Sequence, residues 1–321
     1  MTPQDAGTLK VAIAQLAPVL LNREATVARA AGVVAEAGRA GAGLVAFGET
    51  FVPAYPVWLC RMDAARFDAA DVKAMHAVYL DQAVDLEAGH LSPVREAARD
   101  ANCKVVMGIA ERPRDRGSHS LYCTAVVIAE DGSIASAHRK LMPTYEERLS
   151  WSIGDGHGLV THPCGPFTLG ALNCWENWMP LARASLYAQG ENLHIALWPG
   201  CLRLTGEITR FIAKEGRSFV ISASSIIRAS DVPATLPHRA EWVSDEAETF
   251  YDGGSCIAGP DGEWIVEPVV GTEGLIFADL DVRRVYEERQ NFDPSGHYAR
   301  PDVLNLNVDR TRQAATKFRD A

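Results

Sequence analysis

At 321 residues, with 47% hydrophobic and 22% charged side chains, the chain has the make-up of a folded globular protein with one large core or two smaller ones. A formal net charge of -10 argues against the basic stripe of a nucleic-acid binder and the polybasic patch of a membrane-surface anchor. Seven cysteines, odd in number, widely spaced and never in a C-x-x-C pair, argue against a disulfide framework or a zinc site. With no run of 18 apolar residues and a polar start at 1–7 unlike a signal peptide, these features predict a soluble cytoplasmic protein.

In chain order the hydrophobic pattern alternates strand and helix. Residues 9–16 read as a strand. Asn22 then caps a helix to about Arg39, with Gly41 and Gly43 ending it, and 44–47 form the next strand. Helical stretches near 71–86 and 92–101 lead into a strand at 104–110. The strands 123–129 and 134–138 form a hairpin that turns at Asp131-Gly132. The second half repeats the order: strand 167–173, helix about 180–189, strand 193–198, helix about 206–217, strand 219–224. A hairpin over 255–266 follows, turning at Asp261-Gly262.

Sequence identity between the halves is negligible, yet both follow β-α-β-α-β-hairpin. That order predicts two sheets, each covered by helices on one side, packed face to face as a four-layer α-β-β-α sandwich of two pseudo-repeated halves. The alternative is one doubly wound sheet with helices on both faces. No Pro/Gly/Ser tract separates the halves, so one domain is expected over 8–300. A polar, weakly patterned tail over 301–321 is expected to be mobile or to contact a partner.

Three chemistry-bearing residues stand at strand ends. Glu49 ends the second strand, Lys140 follows the first hairpin, and Cys174 lies where the strand 167–173 gives way to a helix. Ligand sites in α/β folds gather at the carboxyl ends of strands, so such residues can converge despite wide sequence separation. Taken singly, a cysteine is most often a core residue and a strand-end Glu or Lys a solvated one. Their common placement singles them out. Glu49 suits a general base, Lys140 a cation that lowers the thiol pKa and stabilises developing charge, and the Trp175 N–H a second donor to that charge.

Tyr55, Trp58, Tyr145, Trp178 and Trp198 lie near these segments as candidate walls of an apolar or aromatic pocket, core packing being equally compatible with each. Gly41-Ala-Gly43-Leu-Val-Ala46 fits G-x-G-x-x-A but precedes a strand, which excludes a dinucleotide turn. Neither G-x-S-x-G nor G-x-x-x-x-G-K-[ST] occurs. His157 and His162 flank a glycine-rich loop and read as solvated side chains.

The motifs resemble those of the nitrilase superfamily, and of its nitrilase branch in particular. The resemblance places a Glu-Lys-Cys triad on Glu49, Lys140 and Cys174. It rests on His138-Arg-Lys-Leu-Met-Pro-Thr-Tyr-Glu-Glu-Arg148 with Trp151 and Gly154-Asp-Gly156, on Cys174-Trp-Glu-Asn177, on Ala196-Leu-Trp-Pro199 and on Ser295-Gly-His-Tyr-Ala-Arg-Pro-Asp302. It spans about residues 9 to 304 and implies a second glutamate, Glu147, that orients Lys140 and keeps it charged. Two departures stand out: the usual Pro before the glutamate is Gly48, and a common Gly in the next turn is Ala54.

The activity so implied is hydrolysis of a small organic nitrile to its acid and ammonia through a thioimidate and a thioester on Cys174. No cofactor and no metal are needed, and a homo-oligomer built from dimers is expected, with the helix after Cys174 and the tail as contacts. The same triad would also serve an amidase, an N-carbamoyl amide hydrolase or a cyanide-hydrolysing enzyme. A catalytically silent scaffold of the same fold is the reading of a different class.

Overall fold

The computed structural model describes residues 7–316 and 319, so the reading of the polar start falls largely outside the described residues. Along the chain, β1 (Thr8–Gln15), α1 (Arg23–Arg39), β2 (Leu44–Phe47), α2 (Trp58–Arg61), α3 (Ala70–Gln82), α4 (Ser92–Ala101), β3 (Lys104–Glu111), β4 (Tyr122–Ile128) and β5 (Ile134–Arg139) make the first half. The second half begins with β6 (His162–Cys164), β7 (Phe167–Asn173), α5 (Pro180–Tyr187), β8 (Leu193–Trp198), α6 (Leu202–Gly216) and β9 (Phe219–Ser224). It continues through β10 (Ile226–Arg228), α7 (Arg239–Trp242), β11 (Thr249–Ala258), β12 (Trp264–Val270), β13 (Gly274–Asp281) and α8 (Arg283–Arg289).

Two sheets result. One has the order β13-β1-β2-β3-β4-β5, the other β10-β11-β9-β8-β7-β6 with β12 paired to β11. Alternation along the strands sorts side chains into layers. Val11, Ile13, Leu44, Ala46 and Val106 face Leu169, Ile195, Leu197 and Ile221 of the other sheet. Their neighbours Ala12, Ala14, Val45, Phe47 and Met107 instead meet Val27, Ala30 and Val34 of α1 and Val94 and Ala98 of α4. On the opposite side Ala196, Trp198 and Val220 pack on Leu204, Ile208 and Ile212 of α6. This is the four-layer α-β-β-α sandwich, and the single doubly wound sheet is not formed.

The parallel strands β2, β7, β8 and β9 are covered on both faces, which explains their nearly unbroken apolar runs. Each buried Val, Leu or Ile stabilises by about 1.5–3 kcal/mol. The inter-sheet layer therefore outweighs any single polar contact, and it holds the strand ends in place for the polar groups that follow them.

Several elements end where local chemistry places them. Asn22 Oδ1 accepts from Ala25 N at 3.0 Å and starts α1 as expected. Asn102 closes α4 in the left-handed conformation, φ 48°. Among the differences from the sequence reading, two bear most on the architecture. The helix expected at 206–217 begins a turn earlier, at Leu202, with Gly206 inside it. The strand β13 was not anticipated; it pairs antiparallel with β1, Thr8 opposite Asp281 through Gln15 opposite Gly274, and so returns the second half of the chain to the first sheet.

Candidate active site

The carboxyl ends of β2 and β7 meet across the inter-sheet layer. Glu49 follows β2, and its N–H donates to the Trp198 carbonyl at the end of β8 at 3.0 Å, so the two sheets are tied where the carboxylate emerges. Gly48 is needed for this approach. A Cβ there would stand 2.5 Å from Ser225 Oγ and 2.8 Å from the Trp198 carbonyl oxygen. Gly108 on β3 gives way in the same manner, its missing Cβ leaving room for the 48–50 backbone. Ala54, in the turn beyond, has φ 117°, a region that favours glycine.

Lys140 follows β5, where its N–H donates to the Cys123 carbonyl at 2.8 Å in continuation of the hairpin ladder. Its Nζ donates to Glu49 Oε1 at 2.9 Å and to Glu147 Oε2 at 2.7 Å, all three side chains being essentially free of solvent. Glu147 sits in a short 3-10 turn, Tyr145–Leu149, capped by Thr144. Its Oε2 also accepts from Thr144 N at 2.6 Å and its Oε1 from the Tyr55 hydroxyl at 2.9 Å. Both oxygens of Glu147 are therefore occupied. Glu49 differs: Oε1 accepts from Lys140 and from the Cys123 thiol at 3.3 Å, while the buried Oε2 has no partner among the described residues.

Cys174 follows β7 and opens the 3-10 turn Cys174–Trp178, with φ 48°. A non-glycine residue held in that region marks a local conformation imposed by its surroundings. The Sγ of Cys174 and one carboxylate oxygen each from Glu49 and Glu147 lie within 4.8 Å of one another. A cysteine and two carboxylates at that range resemble a metal site by donor count. Lys140 Nζ, bonded to both carboxylates, already fills the cation position there.

The electrostatics follow from burial and pairing. Burial pushes the Glu49 carboxyl up to about 7, with Lys140 opposing and Glu147 adding to the rise. Burial also works against the Lys140 charge, but Glu49, Cys174 and Glu147 outweigh it and hold the ammonium well above the ordinary lysine value. Burial and then Glu49 push the Cys174 thiol up, while Lys140 and the Trp175 N–H pull it down. The resting thiol thus keeps its proton, beside a carboxylate with a free oxygen and a raised affinity for that proton.

One further polar group connects the lysine and cysteine segments. Glu176 is buried, accepting from His138 Nε2 at 2.9 Å, Leu141 N at 2.8 Å and Asn173 N at 3.0 Å. Burial opposes its charge, yet His138 and the two N–H groups hold its carboxyl below the ordinary value.

The aromatic candidates fall in different places. Tyr55 lies in the site, edge-on to Trp151 and Tyr251, while Lys140 Nζ sits 5.7 Å from the Trp151 ring centre. Trp198 is fully buried, its indole donating to Ser222 Oγ. Trp58 packs against Tyr79 in the core. The Tyr145 side chain is 82% exposed; Trp175 and Trp178 stack on the surface, and Trp178 continues onto Phe211. Tyr251 and Cys123 were not singled out from the sequence. Cys123 was within reach of it, because the Asp131-Gly132 turn sets the register that puts Thr124 opposite Arg139 and hence Cys123 beside Lys140. Tyr251 arrives from the first half of β11, ahead of the hairpin that the pattern marks at 255–266.

Comparison with known proteins adds sequence and fold relatives. The family model described as carbon-nitrogen hydrolase matches residues 10–290. A protein named nitrilase 2, from an unknown prokaryotic organism, is 35% identical over 318 residues, covering 98% of this chain and 97% of that one. An aliphatic nitrilase of Rhodococcus rhodochrous is 34% identical over 323 residues, covering 95% and 83% respectively. Among solved structures, a carbon-nitrogen hydrolase from Helicobacter pylori G27 shares the fold, with a TM-score of 0.68 at 20% identity, covering 94% of this chain and 98% of that one.

Proposed function

The chain belongs to the carbon-nitrogen hydrolase family and is a hydrolase acting on carbon-nitrogen bonds, and from that premise we propose that it is a nitrilase using Cys174 as nucleophile. The observation that carries the reading is the buried cluster of Cys174, Glu49 and Lys140, in which Glu49 keeps one oxygen free of other partners. The Cys174-Trp-Glu-Asn177 motif and the named nitrilase relatives support the nitrile over the amide as substrate.

In this reading Glu49 takes the thiol proton as sulfur bonds to the nitrile carbon, and that proton passes to the nitrile nitrogen to give a thioimidate. Lys140 and the Trp175 N–H stabilise the charge that builds on nitrogen. Water deprotonated by Glu49 adds to the thioimidate carbon, the nitrogen leaves as ammonia with the protons it has gathered, and a thioester remains. A second water, activated in the same way, breaks the carbon–sulfur bond and restores the thiol. Two waters are consumed for each acid and ammonia released. Glu147, with both oxygens engaged, keeps Lys140 charged and aimed.

The pocket wall is assigned to Tyr55, Trp151 and Tyr251, an aromatic set suited to an aliphatic or arylaliphatic nitrile. We assign 8–300 to the hydrolase domain and 301–321 to a tail, and place the enzyme in the cytoplasm. No helix among the described residues is long and apolar enough to cross a membrane. A homo-oligomer built from dimers is supported by the exposed apolar face of Trp178, Leu181 and Phe211 around α5 and α6. Light scattering checks the assembly.

Incubation with a panel of nitriles and their amides, scored for ammonia, acid and amide, tests the reaction. Cys174→Ala is expected to abolish ammonia release while the circular-dichroism spectrum and melting curve stay close to wild type. Substantial turnover by that variant would refute the nucleophile assignment.

A further inference from the structure

Behind the nucleophile lies a line of buried polar groups that the cycle above does not use. Asn177 donates from Nδ2 to the Cys174 carbonyl at 2.8 Å and to the Leu172 carbonyl at 3.3 Å. Its Oδ1 faces His194 Nε2 at 2.7 Å, and His194 Nδ1 faces Glu191 Oε1 at 2.8 Å. All three side chains are sealed from solvent. The amide orientation is determined by its partners: Nδ2 faces two carbonyls, so Oδ1 is the acceptor and His194 Nε2 carries a proton. A second proton fills the contact between His194 Nδ1 and Glu191 Oε1. Turning the amide over would set its oxygen against two carbonyl oxygens and leave His194 without an acceptor.

Room for this line is built into β7. Gly170 lies beside His194 in the parallel register, and a Cβ there would stand 2.0 Å from Glu191 Oε1. Any side chain at Gly170 would displace the carboxylate. A glycine in the middle of a buried strand is otherwise unfavourable, which makes this clearance a feature to be explained.

A peptide group is planar and trans, with its C=O and N–H pointing in opposite directions. The Cys174 carbonyl and the Trp175 N–H belong to the same group. A bond that fixes the carbonyl therefore also aims the N–H, and that N–H lies against the Cys174 thiol. The left-handed φ of Cys174 needs such an anchor if the group is to keep its direction. We propose that Glu191, His194 and Asn177 form a positioning relay that holds the Cys174–Trp175 peptide so that its N–H is aimed at the charge formed during attack. This rests on the reading of Cys174 as nucleophile and the Trp175 N–H as donor.

Asn177→Asp keeps the acceptor for His194 and removes both donated bonds. With active sites counted by thiol titration, kcat per site is expected to fall about 100-fold, the scale of one lost oxyanion donor, while KM stays within about threefold. The pH midpoint for alkylation of Cys174 by iodoacetamide, followed on the Cys174 peptide by mass spectrometry, should rise by about one unit. His194→Gln retains a donor toward Asn177 and should keep at least about tenfold more activity than His194→Phe. A purely structural role would lower the melting temperature and leave kcat per site and the alkylation midpoint unchanged; that outcome overturns the relay, as does equal activity in the two His194 variants. If Asn177→Asp does not fold, the His194 pair decides. Alkylation needs no substrate. A wild type that hydrolyses neither nitriles nor amides therefore sinks the functional reading alone, while the midpoint still tests the relay.

Discussion

Glu49 and Glu147 share one lysine, and the asymmetry between them is what suits Glu49 to the proposed role of base. Glu147 has both oxygens occupied by Lys140, Thr144 and Tyr55, whereas Glu49 keeps Oε2 open. One cation cannot fully compensate two buried carboxylates, and the Glu49 carboxyl rises to about 7 through burial. Below that value it holds its own proton and cannot take the thiol's; above it the carboxylate is free to do so. The acidic limb of kcat/KM is therefore expected near pH 7, and a limb near the 4.5 of an ordinary glutamate would remove Glu49 from the base role. Glu49 and Lys140 were legible from their placement at strand ends together with the resemblance, and Glu147 from the resemblance alone, in the motif that also carries Lys140. Gly48 was legible only as a departure. Its reason, the carbonyl of Trp198 pressing on the position where a Cβ would go, lies in the other sheet and has no trace in the neighbouring sequence.

Between elements, Glu176 joins the end of β5 to the end of β7, and so sets the lysine segment against the cysteine segment. Three donors converge on one buried carboxylate. In Glu176→Gln an amide N–H would face a donor it cannot pair with, at a penalty of about 1–3 kcal/mol. The expected result is a lower melting temperature and reduced turnover, with Lys140 and Cys174 both present. The pH dependence carries a second signature. Because the folded carboxyl is held below its unfolded value near 4.5, its contribution to stability is complete above that value and is lost as pH falls through the lowered folded one. Urea unfolding at stepped acidic pH should show that loss in wild type and a shallower one in Glu176→Gln; identical slopes would remove the ionic role. The strands and caps that bring these segments together were readable from periodicity, since β2, β7, β8 and β9 match their apolar runs. The 3-10 turns carrying Glu147 and Cys174 were not, being too short for a period and held by capping contacts made only in the folded chain.

At the scale of the molecule, the halves are less independent than their repeated order implies, because β13 closes the first sheet and the tail then runs back over the first half. That tail is largely exposed and without regular structure, consistent with its weak patterning, yet it is tied down at Arg116, which donates to the Gln313 carbonyl, and above all at one loop. Arg312 pairs with Asp155 at 3.1 Å and donates to the Ala137 carbonyl on β5, while Gln313 N donates to the other oxygen of Asp155 at 3.0 Å. His157 Nδ1 donates to the Arg310 carbonyl, and Gly156 admits the Asp309 carbonyl where a Cβ would be 2.2 Å away. The loop so held is the one whose Gly154 N–H donates to the Lys140 carbonyl and whose Gly158 lies against His138. Deleting 309–321 would leave the almost fully buried Asp155 with only the His157 N–H, a loss of about 1–3 kcal/mol. Hydrogen exchange at 154–158 and 138–141 should then accelerate, the melting temperature should fall by a few degrees, and Asp155→Asn should shift both in the same direction. If truncation instead splits the proposed oligomer while exchange at these residues stays slow, the tail holds another subunit and not its own loop. The two outcomes separate because the loop contacts lie within one chain, whereas an interface responds to protein concentration.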